Sequence, residues 1–173
     1  YNKGLVFVEL DNLKEAEKYF DKVIKLDDKY AYAYLEKGKI LELRNMHKKA
    51  LGFINKAIEL DFKNDEALIW KGDILAYYNE YKNAIDCYDK SIRLYNKNSY
   101  TYVAKGIALS GLKKNKEALE QYDLALKMDK NCENAYFQRA FTLDSMKKYE
   151  EAVENYKKYI DMNPEDHVAY NNV

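Results

Sequence analysis

Few residues of this 173-residue chain have the type and spacing that chemistry needs. The two histidines, His47 and His167, are too far apart in sequence to share a metal ion at helical spacing. The two cysteines, Cys87 and Cys132, have no CxxC neighbour and read as free thiols of a reducing, cytoplasmic setting. No Ser/His/Asp or Cys/His set can be assembled for nucleophilic catalysis. Lys-Gly pairs occur at 37–38, 71–72 and 105–106, but each falls inside a helical pattern. Amides there are already bonded and cannot cradle a phosphate. The expectation is a chain that is not an enzyme and that holds no metal and no cofactor.

Charge excludes further classes. Lys plus Arg number 29 and Asp plus Glu number 29, a balance that leaves no excess for a polyanion. Neither nucleic acid nor a membrane is therefore expected as a partner. One regular cationic row, Lys3, Lys37, Lys71, Lys105 and Arg139, invites an RNA reading. The better reading is that the stems cover apolar surface while the charged ends reach water. No apolar run approaches the roughly 20 residues of a spanning helix. With one proline and six glycines, helices should dominate.

The elements that would position any site repeat. Ala16, Ala50, Ala84, Ala118 and Ala152 follow one another at a constant interval of 34 residues. Phe20, Ile54, Tyr88, Tyr122 and Tyr156 stand four residues after each, and Ile24, Ile58, Ile92, Leu126 and Ile160 stand eight after. These offsets fill one side of a helix and do not suit a strand. Asp27, Asp61 and Asp129 then mark the polar turn that ends it. A second column, Gly4, Gly38, Gly72, Gly106 and Ala140, precedes the alanines by 12 residues. Mid-helix glycine costs about 1 kcal/mol relative to alanine, so small residues held in register imply close helix contact. Each unit reads as an antiparallel helix pair that meets where both helices are small.

These columns resemble the tetratricopeptide repeat, whose pattern combines an aromatic, a small residue and A-x3-F. The resemblance covers residues 1–173 as a single array: a partial repeat at 1–30, full repeats at 31–64, 65–98, 99–132 and 133–166, and the start of another at 167–173. Tyr or Leu replaces the family's Trp, the terminal Pro survives only as Pro164, and Tyr159 is oversized for its column. The implied fold is all-α, an α-solenoid of antiparallel helix-turn-helix repeats forming a right-handed superhelix. Its first helices would line the concave wall.

The same resemblance implies a groove for a protein or peptide partner. Its residues would be Tyr32, Leu35, Lys39 and Glu42, then Glu66, Ile69 and Asp73, then Tyr100, Val103 and Ile107, then Phe137 and Phe141. The row Tyr1, Leu35, Ile69, Val103, Phe137 is apolar throughout and has two readings. It either anchors a partner or packs against the first helix of the next repeat. The Lys and Asn pairing with which one subfamily clamps chaperone C-termini is absent. The alternative to a peptide-binding scaffold is a structural superhelix that self-associates head-to-tail as a spacer. The sequence starts inside a first helix and stops inside a sixth unit, so the expectation is a parent chain that continues on both sides. Tyr156, Tyr159, Ile160 and Tyr170 at one end, and Leu5, Phe7 and Val8 at the other, would then be partly exposed.

Overall fold

The structure, a computed structural model, describes residues 1–166 and Tyr170. Among the described residues it consists of ten helices and no strand. They are α1 Asn2–Glu9, α2 Leu13–Leu26, α3 Ala31–Leu43, α4 His47–Leu60, α5 Asp65–Tyr77, α6 Tyr81–Leu94, α7 Ser99–Gly111, α8 Asn115–Met128, α9 Glu133–Ser145 and α10 Tyr149–Met162. The expected opening of a sixth repeat at 167–173 lies, except for Tyr170, outside the described residues. The chain divides into two compact units, Tyr1–Ile74 and Leu75–Val173. In the first unit α1 packs on α2, α2 on α3, and α3 on α4. In the second α6 packs on α7, α7 on α8, α8 on α9, and α9 on α10, with α7 also touching α9.

Two turn devices alternate along the chain. Every first helix from α1 to α9 is followed by a residue in the left-handed region: Asp11, Asn45, Asn79, Lys113 and Lys147, with φ between 54° and 61°. The next amide reaches back five residues to close the helix: Met46 to the carbonyl of Leu41 (2.9 Å), Glu80 to Leu75 (2.8 Å), Lys114 to Leu109 (3.0 Å) and Lys148 to Leu143 (3.0 Å). This Schellman closure satisfies carbonyls that would otherwise be orphaned. Three second helices, α2, α4 and α8, end on aspartates that fold onto the following chain. Asp27 accepts from the Lys29 amide (3.0 Å), Asp61 from Lys63 (3.1 Å) and Asp129 from Asn131 (2.9 Å). The Tyr102 and Tyr136 hydroxyls donate to the Asn96 and Lys130 carbonyls in the turns before α7 and α9, at 3.3 and 3.2 Å.

Three of the pairs close where a glycine meets a large side chain. A Cβ on Gly4 would come 2.6 Å from the Phe20 ring, and one on Gly38 would come 2.6 Å from Ile54. One on Gly106 would fall within 3.0 Å of three ring atoms of Tyr122. Gly38 also lies close to Ala50, where a Cβ would come 3.4 Å from the Ala50 carbonyl oxygen, but the tighter fit is elsewhere: glycine makes room for the large residue four places beyond the alanine. Ala16, Ala50, Ala84, Ala118 and Ala152 are all buried, as are Phe20, Ile54, Tyr88, Tyr122 and Tyr156. Burial pushes the Tyr122 phenol up to about 12, against a weaker opposing interaction with Thr142. Burial of Tyr156 also overturns its expected exposure. Oversized Tyr159 is accommodated by resting on Phe137, with ring centroids 5.0 Å apart, while its hydroxyl donates to Asp166 at 2.7 Å.

The cationic row has a different job from the one expected of it. Lys37 pairs with Asp21, Lys105 with Asp89 (2.7 Å) and Arg139 with Asp123 (2.9 Å). In each case a first helix is tied to the second helix before it. Lys37 also stands 4.6 Å from the centre of the Phe53 ring. The stems are partly covered as expected, but the charged ends find carboxylates rather than water alone.

Two substitutions test this packing in opposite directions. Gly106→Ala should destabilise by about 1–3 kcal/mol, because the buried Tyr122 ring has nowhere to yield. Lys113→Gly should stabilise by about 0.5–1 kcal/mol by relieving a left-handed backbone at an exposed turn. Urea unfolding followed by circular dichroism reads both, and a neutral Gly106→Ala would refute the assigned contact.

Candidate functional site

The first helices of the two units present different side chains at equivalent positions. In the second unit, α7 and α9 lie side by side, joined by a 3.5 Å bond from the Thr142 hydroxyl to Ser110. Ile107 and Phe141 occupy the same position of successive repeats and both are exposed, Phe141 to 56%. Tyr100, about two turns earlier on α7, is exposed as well. Phe137 is half-buried and packs edge-on against Tyr156 at 5.8 Å. The long cations of these helices, Lys105 and Arg139, are directed to Asp89 and Asp123. Arg139 adds a 3.0 Å bond to the Asn155 side chain. What remains exposed is an apolar and aromatic strip bordered by Asn134 and Asp144. The Asp144 charge is felt by Tyr156, whose phenol is raised first by burial and then by that carboxylate.

The first unit offers a charged and tyrosine-rich counterpart. Lys39 reaches two carboxylates, Glu36 at 2.8 Å on its own helix and Glu66 on α5. Burial is the largest single influence on the Lys39 ammonium and lowers its pKa, but bonds to Glu36 and Glu66 outweigh it and leave the pKa raised. Beside this group stand Tyr1, Tyr30 and Tyr32. The Tyr1 and Tyr30 rings are 5.3 Å apart, and those of Tyr30 and Tyr32 are 6.2 Å apart. The Tyr1 phenol is pushed up to about 12, first by burial and then by the charges of Glu36, Tyr30, Glu66 and Tyr32. Glu42 is not free for a partner: it pairs with the buried His47 at 2.5 Å. Asp73 is half-buried.

Three of the sequence-predicted groove residues are core. Leu35, Ile69 and Val103 are 0%, 7% and 1% exposed, so no partner can reach them. The packing reading of that row is the correct one for these positions. Leu35 joins Ile54 and Ile74 in one hydrophobic cluster, and Val103 joins Tyr122 and Leu109 in another. Tyr32, Lys39, Glu66, Tyr100, Ile107 and Phe141 are surface or half-buried residues, as a binding role requires. Tyr30 and Glu36 were missed by sequence reasoning. The signal for Glu36 was its place three residues before Lys39, the spacing of an i,i+3 ion pair.

An array of short antiparallel helix pairs, with side chains displayed from one helix of each pair, defines a helical-repeat scaffold. The tetratricopeptide repeat profile matches residues 1–30, 65–98, 99–132 and 133–166, and the chain belongs to that family. The fold is accordingly an all-α solenoid of antiparallel helix pairs. Among solved structures it is similar to YrrB, described as a TPR protein with an unusual peptide-binding site. That match has a TM-score of 0.80 and 23% identity, covering 98% of this chain and 88% of the other. It is also similar to MamA, with a TM-score of 0.81 and 21% identity, covering 93% of this chain and 94% of that one. The Pseudomonas aeruginosa protein pilF gives a TM-score of 0.84 at 21% identity, covering 93% and 73%. Comparison with curated proteins by sequence finds no match. Among the described residues, no helix is long and apolar enough to cross a membrane, and no group of three or more His, Cys, Asp or Glu side chains is placed to hold a metal.

The Lys39 bridge yields a stability test. Lys39→Met should cost about 2 kcal/mol, because it strands the buried Glu36 carboxylate without its cation. Lys39→Met combined with Glu36→Leu should recover most of the loss in a chemical melt. Equal stability of wild type and Lys39→Met would show that the bridge contributes nothing.

Proposed function

We propose that the chain is a non-catalytic protein-interaction scaffold that takes up a partner peptide or helix on its first-helix faces. The observation that carries this reading is the pair Ile107 and Phe141, exposed at the same position of successive repeats and flanked by Tyr100. Apolar side chains held out to water on a rigid helical wall are the usual anchors of peptide recognition. The peptide-binding site of YrrB, a protein of the same fold, supports the reading. Lys39 is committed to two carboxylates, so a chaperone-type carboxylate clamp is not the mode proposed. Cys87 and Cys132 are not joined in a disulfide, which fits a cytoplasmic setting.

Panning a random dodecapeptide display library against the immobilised protein would supply defined ligands, whose affinities fluorescence anisotropy then measures. Ile107→Asp and Phe141→Asp, with helicity confirmed by circular dichroism, should each weaken binding about tenfold or more. Undiminished binding by both variants would remove the α7–α9 face from the proposal. Sedimentation of the same samples addresses the self-associating spacer: oligomers that persist in both variants, with no peptide enriched, would favour it.

A further inference from the structure

Three of the four junctions between a second helix and the next first helix carry the same tie. Lys37 of α3 pairs with Asp21 of α2, Lys105 of α7 with Asp89 of α6 at 2.7 Å, and Arg139 of α9 with Asp123 of α8 at 2.9 Å. The partners are 16 residues apart each time. At the fourth junction, between α4 and α5, the cation is Lys71 and the residue 16 places before it is Asn55. Asparagine has no charge to answer the ammonium, and half-buried Lys71 makes no ion pair among the described residues. A second bond is missing at the same junction. Tyr102 and Tyr136 donate their hydroxyls to the turns before α7 and α9, whereas the corresponding residue of α5 is Leu68, which has none to donate. What does hold α5 lies at its start. The Asn64 side chain accepts from the Ala67 amide at 2.9 Å, and Glu66 in the first turn reaches Lys39 of α3. Ala57 of α4 and Ala67 of α5 share an apolar cluster with Leu35 and Ile74, so the seam is closed at rest.

We infer that the α4–α5 junction is the yielding joint of the array, where α5 swings away from α4 about its own first turn. In a stack of helix pairs each junction contributes its own share of stability, so the junction with the fewest ties opens first. The pivot is the bridge from Glu66 to Lys39, and the untied part of α5 begins at Lys71. Apolar contact without a directional bond resists separation but lets one helix slide and tilt on the other. Such an opening changes the separation between the faces that α3 and α5 display. The joint goes beyond the scaffold reading and does not depend on it, because it concerns the motion of α5 whatever the array binds.

Native-state hydrogen exchange on the whole chain tests the joint. After correction for intrinsic rates, the amides of 71–77 in α5 should exchange about threefold to tenfold faster than those of 37–43 in α3 and 105–111 in α7. Fraying from the ends cannot produce that order, since α5 lies between the other two. Asn55→Asp restores the missing carboxylate at an exposed position of α4, where it leaves the fold undisturbed. It should slow exchange in α5 about threefold at low salt, and the gain should vanish at about 1 M salt. Asp89→Asn is the converse change and should speed exchange in α7 about threefold. An α5 that exchanges no faster than α3 and α7 would overturn the joint, as would an Asn55→Asp chain whose α5 exchanges at the wild-type rate. Either failure would leave peptide binding at Ile107 and Phe141 untouched, so the two readings stand or fall separately.

Discussion

In three of the helix pairs the spacing is set by one contact, a glycine on the first helix facing a large side chain on the second. Phe20 against Gly4, Ile54 against Gly38 and Tyr122 against Gly106 repeat the same fit. With no Cβ in the way, the large side chain sinks until it is fully buried, and the neighbouring alanines close the rest of the seam. An interval that holds at 34 residues without insertion follows from this. A residue gained or lost in either helix would turn the large side chain out of its slot. The turns are subordinate to the same register, since the left-handed residues Asp11, Asn45, Asn79, Lys113 and Lys147 keep that interval too.

Much of this was legible in the sequence because packing columns are made of residue types that serve little else. Periodicity disclosed the helices, their pairing and the family. The partners of the small column were not legible, since offsets along one helix do not say which residue of the other helix lies opposite. Turn geometry was hidden for a different reason. The left-handed positions hold aspartate, asparagine and lysine in place of glycine, and lysine carries no turn signal. The ties from Lys37, Lys105 and Arg139 to aspartates 16 residues earlier were also invisible, because they cross from one repeat to the next.

For the candidate site the sequence named residues of the first helices without separating the exposed positions from the packed ones. Leu35, Ile69 and Val103 sit at offsets compatible with either an exposed wall or a seam between helices. The rotation of a helix about its axis decides between them, and that is set by neighbours rather than by local pattern. Four residues further on, Lys39 in the first unit and Ile107 in the second have moved past the seam. Phe141 repeats the position of Ile107, which is why the exposed strip of α7 and α9 is continuous in kind.

Charge on the first helices is divided between two tasks. Lys37, Lys105 and Arg139 are spent sideways, holding each first helix to the second helix before it. Their ammonium and guanidinium groups are thereby turned to neighbouring helices, and Lys39, four residues past Leu35, is itself enclosed by Glu36 and Glu66. The displayed chemistry then follows from a few substitutions: carboxylates and tyrosines in the first unit, isoleucine and phenylalanine in the second. None of these residues belongs to the glycine column or to the alanine column. A scaffold in which stability resides in one set of positions and recognition in another can change its partner without losing its fold. The burial of Leu35 and Val103 beside the exposure of Ile107 and Phe141 marks where that division runs.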